Sequence, residues 1–449
     1  MRFLACLGVA LCMVAPVAAQ DRPPVSLMDL AGRVEPSRLS RTVDRLASFG
    51  TRHTLSDPVS ERRGIGAARR WLTGELQALP QIPGSRLVIF EDSFSAGPGP
   101  LLPKATTLTN LGVMLPGTDL ARTREALVVA AHYDSRTYDV LDGSGDAPGA
   151  VDNASGVAAV MELATVLAAE RPAISIYFVA TAGGAQGSLG SARLAARLKA
   201  EGTDVVGMLA VDCVGNVLGS DGGKNGGAMR LFSDGVPVRE TDGEKRVREL
   251  LGTENDGVGR ELARYLKRCG ERFVENFDCA VMLRRDRLGR SGEQSAFTRE
   301  GFPGVRVSEF TDPFDRLGQD ARPGAVHRYS DTPTFFDPGY CARITRVLVT
   351  GLRQLACAPA GPQNVGLSGG GTSDAKLWWT LPQDPRIVSV VIYRRRADGV
   401  QWQQTHVIPK AESIVLPGVG TDNDVFAVAT MDAQGNESLP VIPRSIEFN

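Results

Sequence analysis

The chain has 449 residues, and 50 Lys and Arg stand against 51 Asp and Glu, a formal charge of −1. Near-neutrality without a Lys/Arg run longer than three residues excludes the electrostatic footprint of a nucleic-acid binder or of a protein held on an anionic membrane. With 43% hydrophobic and 22% charged residues, disorder, collagen and coiled coil are excluded as the main architecture, and at roughly 150 residues per domain two to three globular domains are expected.

Arg2, a mostly apolar run over 3–16 and the small residues Val17-Ala18-Ala19 predict a cleaved secretory signal over 1–19. The run is too short for a membrane anchor, which needs about 20 apolar residues. No later segment is expected to insert in a membrane, so the mature protein is expected to be exported, either periplasmic or secreted. Export permits disulfides. Cys269 with Cys279, and Cys341 with Cys357, could each close a loop, whereas Cys213 ends an apolar strand and reads as a small buried hydrophobe.

Residues 20–35 read as a flexible leader. Leu39, Val43, Leu46 and Ala47 have helical spacing, and a second helix is expected over 64–79. Strands are expected at 86–90, 107–115, 126–131, 174–180, 205–211, 281–284 and 305–309, with helices at 157–167, 189–198, 259–267 and 340–355. Continuous apolar strands alternating with helices predict an α/β domain over 36–357, its sheet parallel at the centre and sandwiched by helices. A Gly-rich loop is expected at 219–227 and a long irregular loop at 311–326. After a Pro- and Gly-containing linker, 358–363, short strand patterns recur between turn signals. They predict a small all-β sandwich over 364–449.

Chemistry-bearing residues gather where the predicted strands of the first domain end. His132-Tyr133-Asp134 follows the strand at 126–131, Asp152-Asn153 precedes the next helix, and Asp212 ends the strand at 205–211. Ligand sites in open α/β sheets form at the carboxyl ends of strands, and imidazole with carboxylates is a typical zinc ligand set. Each residue has a bland reading too: a core histidine, a helix N-cap, a turn, a surface ion pair.

Five stretches resemble the exported di-zinc aminopeptidases, whose fold is shared with glutaminyl cyclases and glutamate carboxypeptidases. They are His132-Tyr133-Asp134-Ser135, the run from Ala147-Pro148-Gly149 through Asp152-Asn153 to Gly156, Gln186-Gly187-Ser188, Asp212-Cys213-Val214-Gly215, and His327-Arg328-Tyr329-Ser330-Asp331-Thr332. The resemblance implies that His132, Asp212 and His327 are zinc ligands and that Asp152 bridges two metals. It implies that Asp134 orients His132. Pro362, Trp379, Tyr393, Phe426 and the turn at Asp432 similarly resemble a fibronectin type III module, which implies a spacer or binding accessory.

The chain departs from the family at one motif. Where the family carries Gly-Glu-Glu-Gln-Gly, this chain reads Gly183-Gly184-Ala185-Gln186-Gly187. The resemblance makes Gly184 the general-base position and Ala185 a metal-ligand position, and neither side chain can do that work. A positioned base contributes roughly 10²–10⁴-fold, and catalytic zinc usually has three protein ligands. One zinc or none is therefore expected rather than two. Asp139, Asp142, Asp146 and Glu293 are the candidates for a replacing carboxylate. The ancestral reaction implied is zinc-dependent removal of N-terminal residues from peptides, impaired here. The alternative is a non-catalytic pseudo-peptidase that binds peptides or a protein partner through the old cleft.

Overall fold

The computed structural model describes residues 26–321 and 330–447. The expected signal segment and His327 lie outside the described residues.

The first domain is built on an eight-stranded sheet: β1 (Val88–Ala96), β2 (Thr106–Leu115), β3 (Glu125–His132), β4 (Ser175–Thr181), β5 (Asp204–Val211), β6 (Ala228–Ser233), β7 (Asp278–Met282) and β8 (Gly304–Glu309). Their order is β1-β2-β4-β3-β5-β8-β6-β7. β4, β3, β5 and β8 run parallel, while β1, β2 and β6 join antiparallel to their inner neighbours. β3, with seven of its eight residues buried, reads as a nearly unbroken apolar run because helices cover both faces of the sheet.

Nine α-helices accompany the sheet among the described residues: α1 (Leu27–Gly32), α2 (Pro36–Ala47), α3 (Gly64–Ala78), α4 (Gly156–Leu167), α5 (Leu189–Ala200), α6 (Asp242–Leu251), α7 (Val258–Phe273), α8 (Gln294–Arg299) and α9 (Pro338–Cys357). α4 is apolar nearly all round because it is enclosed by the sheet, α2 and α9. One polar contact ties this layer. Glu162 of α4 accepts two hydrogen bonds from Arg38 of α2, each 2.7 Å long.

Two expectations are corrected. Residues 26–35 of the supposed flexible leader are ordered: α1 is N-capped by Ser26, and Leu30 and Val34 are buried against the core. All five described cysteines are free. Cys341 and Cys357 sit at opposite ends of α9, about 24 Å apart at 1.5 Å per residue, far beyond disulfide reach. Cys269 and Cys279 are thiols buried among apolar side chains between α7 and β7. β6, α6, α8 and a first sandwich strand add to the expected elements.

The C-terminal domain has two small sheets. One comprises β9 (Gln363–Ser368), β10 (Ala375–Thr380), β13 (Ser413–Leu416) and β15 (Ser445–Glu447). The other comprises β11 (Ser389–Arg396), β12 (Gln404–Pro409) and β14 (Asp424–Met431). Alternating residues of both, among them Leu377, Trp379, Ile392 and Phe426, form one core.

This domain is locked to α7. Arg395 meets Asp256 at 2.6 Å, Arg264 meets Asp256 at 2.6 Å and donates to the Val400 carbonyl at 2.7 Å, and Trp402 donates to Glu261 at 2.8 Å. At the other end of the seam, Arg386 pairs with Asp119 at 2.9 Å and Arg122 donates to the carbonyl of Ala358.

Candidate metal centre

Adjacent parallel strands bring the first two candidate ligands together. His132 is the last residue of β3, Asp212 follows β5, and β3 pairs with β5. Asp152 comes from the crossover turn Ala150–Ser155 that leads into α4. A nitrogen of His132 and one oxygen each of Asp152 and Asp212 lie within 4.8 Å of one another, the one such group among the described residues.

The histidine is set for ligation by the partner of its other nitrogen. Nδ1 donates to the backbone carbonyl of Asp134 at 3.0 Å, which leaves Nε2 to face Asp152 Oδ1 at 3.5 Å; a metal ion held there would take the place of the Nε2 proton. The Asp134 side chain does more than orient His132. Its Oδ1 lies 3.6 Å from Nδ1, and its two oxygens accept the N–H groups of Gly184 at 2.8 Å and Ala185 at 3.0 Å. Burial alone would push the Asp134 carboxyl up, but His132 and these two N–H donors outweigh it and hold the pKa below the usual range. For His132 burial pulls the pKa down, and the carboxylates of Asp134 and Asp152 outweigh it, raising it well above its ordinary value.

Gly184 and Ala185 line the cavity at the triad. The 183–187 loop is folded tightly onto His132. An ideal Cβ on Gly184 would stand 2.3 Å from His132 Cγ and 2.5 Å from its Cβ, a separation that real Cβ atoms essentially never show.

The turn that carries Asp152 is held from below by two buried ionisable side chains. Arg52, fully buried, donates to the carbonyls of Tyr133, Leu46, Pro148 and Gly149. Burial lowers its pKa to about 10, which still leaves it charged at neutral pH. Asp331 accepts the backbone N–H groups of Val151 at 2.9 Å and Asp152 at 2.7 Å. Gly149 opens the turn at φ 53°, where an added Cβ would meet Ser135 at 2.6 Å.

Asp212 is paired with arginine. Arg306 of β8, fully buried, reaches Oδ2 with Nη1 at 2.8 Å and donates through Nη2 to the Asp212 carbonyl at 3.2 Å. Arg287 approaches the same oxygen at 4.0 Å and contacts Asp286 at 3.2 Å. Neither arginine is suggested by motif spacing. The available signal is a charge inside the apolar run Val305-Arg306-Val307, which demands a partner once buried.

Of the four candidate replacing carboxylates, Glu293 alone lines this cavity; Asp142 is held by Ser144, and Asp146 by Arg63. Glu293 is fully enclosed. Its Oε1 accepts from Ser191 at 2.8 Å and from Thr181, its Oε2 has no partner among the described residues, and burial raises its pKa. His53 is a satisfied core histidine: Nε2 donates to the Val140 carbonyl at 3.0 Å and Nδ1 accepts from Leu55 at 3.0 Å. His406 lies on β12 of the sandwich.

The donor set fits one zinc: one imidazole nitrogen and two carboxylates, each braced by neighbours. The cavity is about 320 Å³. Two larger ones, about 500 and 350 Å³, lie along the seam between α6 and the sandwich and contain none of the triad.

Residues 110–351 match the pattern of Peptidase family M28. The chain is 32% identical over 422 residues to a protein of Leptosphaeria maculans named a probable zinc metalloprotease, covering 94% of this chain and 97% of that one. A protein of the same name from Pyricularia oryzae is 33% identical over 439 residues, covering 96% and 86%. Among solved structures, the LapA aminopeptidase of Legionella pneumophila superposes with a TM-score of 0.51 at 18% identity, covering 74% of each chain. An aminopeptidase from Aneurinibacillus sp. strain AM-1 superposes at 0.50 with 11% identity, covering 75% and 97%. At these identities the two superpositions establish the shared fold alone.

Proposed function

Because the chain belongs to peptidase family M28, we propose that it is an exported, aminopeptidase-like protein that holds one zinc or none on His132, Asp152 and Asp212, and whose peptidase chemistry is impaired. The observation that carries this reading is the loop at Gly184 and Ala185. Where the family resemblance places a proton-accepting carboxylate and a ligand carboxylate, two backbone N–H groups instead point at Asp134, and the first position has no room for a side chain.

Zinc bound to the triad supplies Lewis-acid chemistry, polarising a carbonyl placed beside it. The residues of the chain do the rest. Asp134 holds the His132 tautomer, Arg52 and Asp331 hold the Asp152 turn, and Arg306 orients Asp212. A second zinc is disfavoured because Ala185 offers no ligand and because Arg306 and Arg287 already place positive charge at Asp212. Glu293 is in the cavity wall, but its Oε1 is anchored to Ser191 and Thr181, and its Oε2, without a partner among the described residues, is buried where the raised pKa favours the neutral acid over a proton-accepting carboxylate.

The intact cavity also supports the second reading, in which peptides or a protein partner are bound without turnover. The face-to-face sheets after residue 362 support the fibronectin type III-like reading, and their fixed seam with α7 makes the module part of the scaffold rather than a loose tether.

The test is hydrolysis of an aminoacyl-chromophore panel by the full exported chain, with zinc, with chelator and beside Asp152→Asn. The expected result is turnover no greater than that of the Asp152→Asn protein, with at most one zinc per chain by elemental analysis. Chelator-sensitive turnover absent from the variant, or two zinc ions per chain, would sink the reading.

A further inference from the structure

An aminopeptidase must hold the free ammonium of its substrate, which calls for an accessible carboxylate beside the metal. The cavity offers none. Asp152 and Asp212 belong to the triad, and Glu293 is buried, with Oε1 tied to Ser191 and Thr181 and an enclosed Oε2 that has no partner among the described residues, so it is not an accessible carboxylate. The wall facing the triad carries guanidinium groups instead: Arg136, Arg287 and Arg290. Arg287 lies 4.0 Å from Asp212 and 3.2 Å from Asp286. Arg290 lies 3.7 Å from Asp312, which is already paired with Arg230 at 2.9 Å. Arg136 packs against Gly318, half-buried, and makes no ion pair or hydrogen bond among the described residues. With one divalent metal on the triad its two carboxylates are cancelled, and the Arg136 guanidinium, unpaired among the described residues, then leaves the cavity positive.

We propose that this cavity recognises a carboxylate rather than an ammonium, and that Arg136 is the residue that receives it. The ligand is then a peptide presenting a carboxylate, either its C-terminus or an Asp or Glu side chain, next to the peptide carbonyl that faces the triad. A charge-assisted hydrogen bond from a planar fork suits a carboxylate, and it is worth more in a partly enclosed site than in water. The ligand would neutralise the one cation of this wall that has no counter-charge among the described residues. This inference rests on the zinc-triad reading for the location of the carbonyl, but the charge preference of the wall stands on Arg136 itself.

The experiment is calorimetric titration of the full chain, with and without zinc, using four probes. N-acetyl-Gly-Ala carries a terminal carboxylate, N-acetyl-Gly-Ala-amide carries no charge, N-acetyl-Asp-Ala-amide carries a side-chain carboxylate, and Ala-Ala-amide carries an ammonium. At least one carboxylate probe is expected to bind about tenfold more tightly than the neutral amide, as one charge-assisted hydrogen bond implies. Which of the two does so identifies the source of the carboxylate. Arg136→Gln should abolish the preference, and Arg136→Lys should retain part of it. Thermal unfolding checks that both variants are folded. Tighter binding of Ala-Ala-amide, equal binding of all probes, binding of none, or a preference that survives in Arg136→Gln would overturn the proposal. Zinc content is measured on the same samples. Two zinc ions per chain with the carboxylate preference retained defeats the reading of one zinc or none alone, and a chain with one zinc or none that lacks the preference defeats this one alone.

Discussion

Gly184 differs from the family pattern in more than the loss of a carboxylate. Its backbone lies so close to His132 that any side chain requires the loop to retreat, whereas Ala185 already has a Cβ and faces the cavity. Placing a glutamate at each position is therefore expected to have unequal effects. Gly184→Glu should destabilise the protein by about 1–3 kcal/mol, as overpacked sites do, and should disturb His132. Ala185→Glu should be tolerated within about 1 kcal/mol. Thermal unfolding of the two single variants, with zinc content measured beside it, checks this; equal stability of both would show that the loop yields easily.

At the scale of the element, the turn Ala150–Ser155 is shaped by charges outside it. Removing Arg52 leaves the carbonyls of Tyr133, Leu46, Pro148 and Gly149 buried without their donor. Arg52→Met is expected to cost on the order of 3 kcal/mol or more and to weaken zinc binding, read by unfolding and by zinc titration. Asp331 makes the turn sensitive to pH. Burial raises its pKa from 3.8 to about 7, against the opposing pull of the Asp152 and Val151 N–H groups. The folded state thus favours the protonated acid. That contribution to stability is complete below about pH 4 and is lost as pH rises through about 7. In chelator, the melting temperature of Asp331→Asn should fall less between pH 4 and 7 than that of the unmodified protein; parallel curves would show that Asp331 does not titrate in this window.

Across the whole molecule, the sandwich and the α/β domain share buried charges. Asp256 faces both Arg264 and Arg395, and all three are almost fully buried. Breaking a buried pair costs about 3–5 kcal/mol because the remaining charge keeps its desolvation penalty; the second arginine softens that loss for Asp256. Arg395→Met is expected to loosen the seam, speeding proteolysis near 358–362 and hydrogen exchange in α7 while leaving zinc content unchanged. Unaltered proteolysis would mean that the seam is held by the Trp402 and Arg386 contacts instead.

The sequence by itself determined the parallel-centred sheet, because buried strands must be continuously apolar, and it located His132, Asp152 and Asp212, because ligand-type residues at predicted strand ends converge on one sheet edge. That residues 184 and 185 carry no carboxylate is equally visible without coordinates. Only the tertiary structure decided which groups surround those residues. The Arg306–Asp212 pair, the two arms of Asp134 and the brace from Arg52 join positions 94, 50 and 97 residues apart, and no local periodicity encodes such a separation. The disulfides expected from spacing failed for the same reason. A sequence interval gives no distance until the residues are known to lie on one helix, as Cys341 and Cys357 do, or across a packed interface between α7 and β7, as Cys269 and Cys279 do.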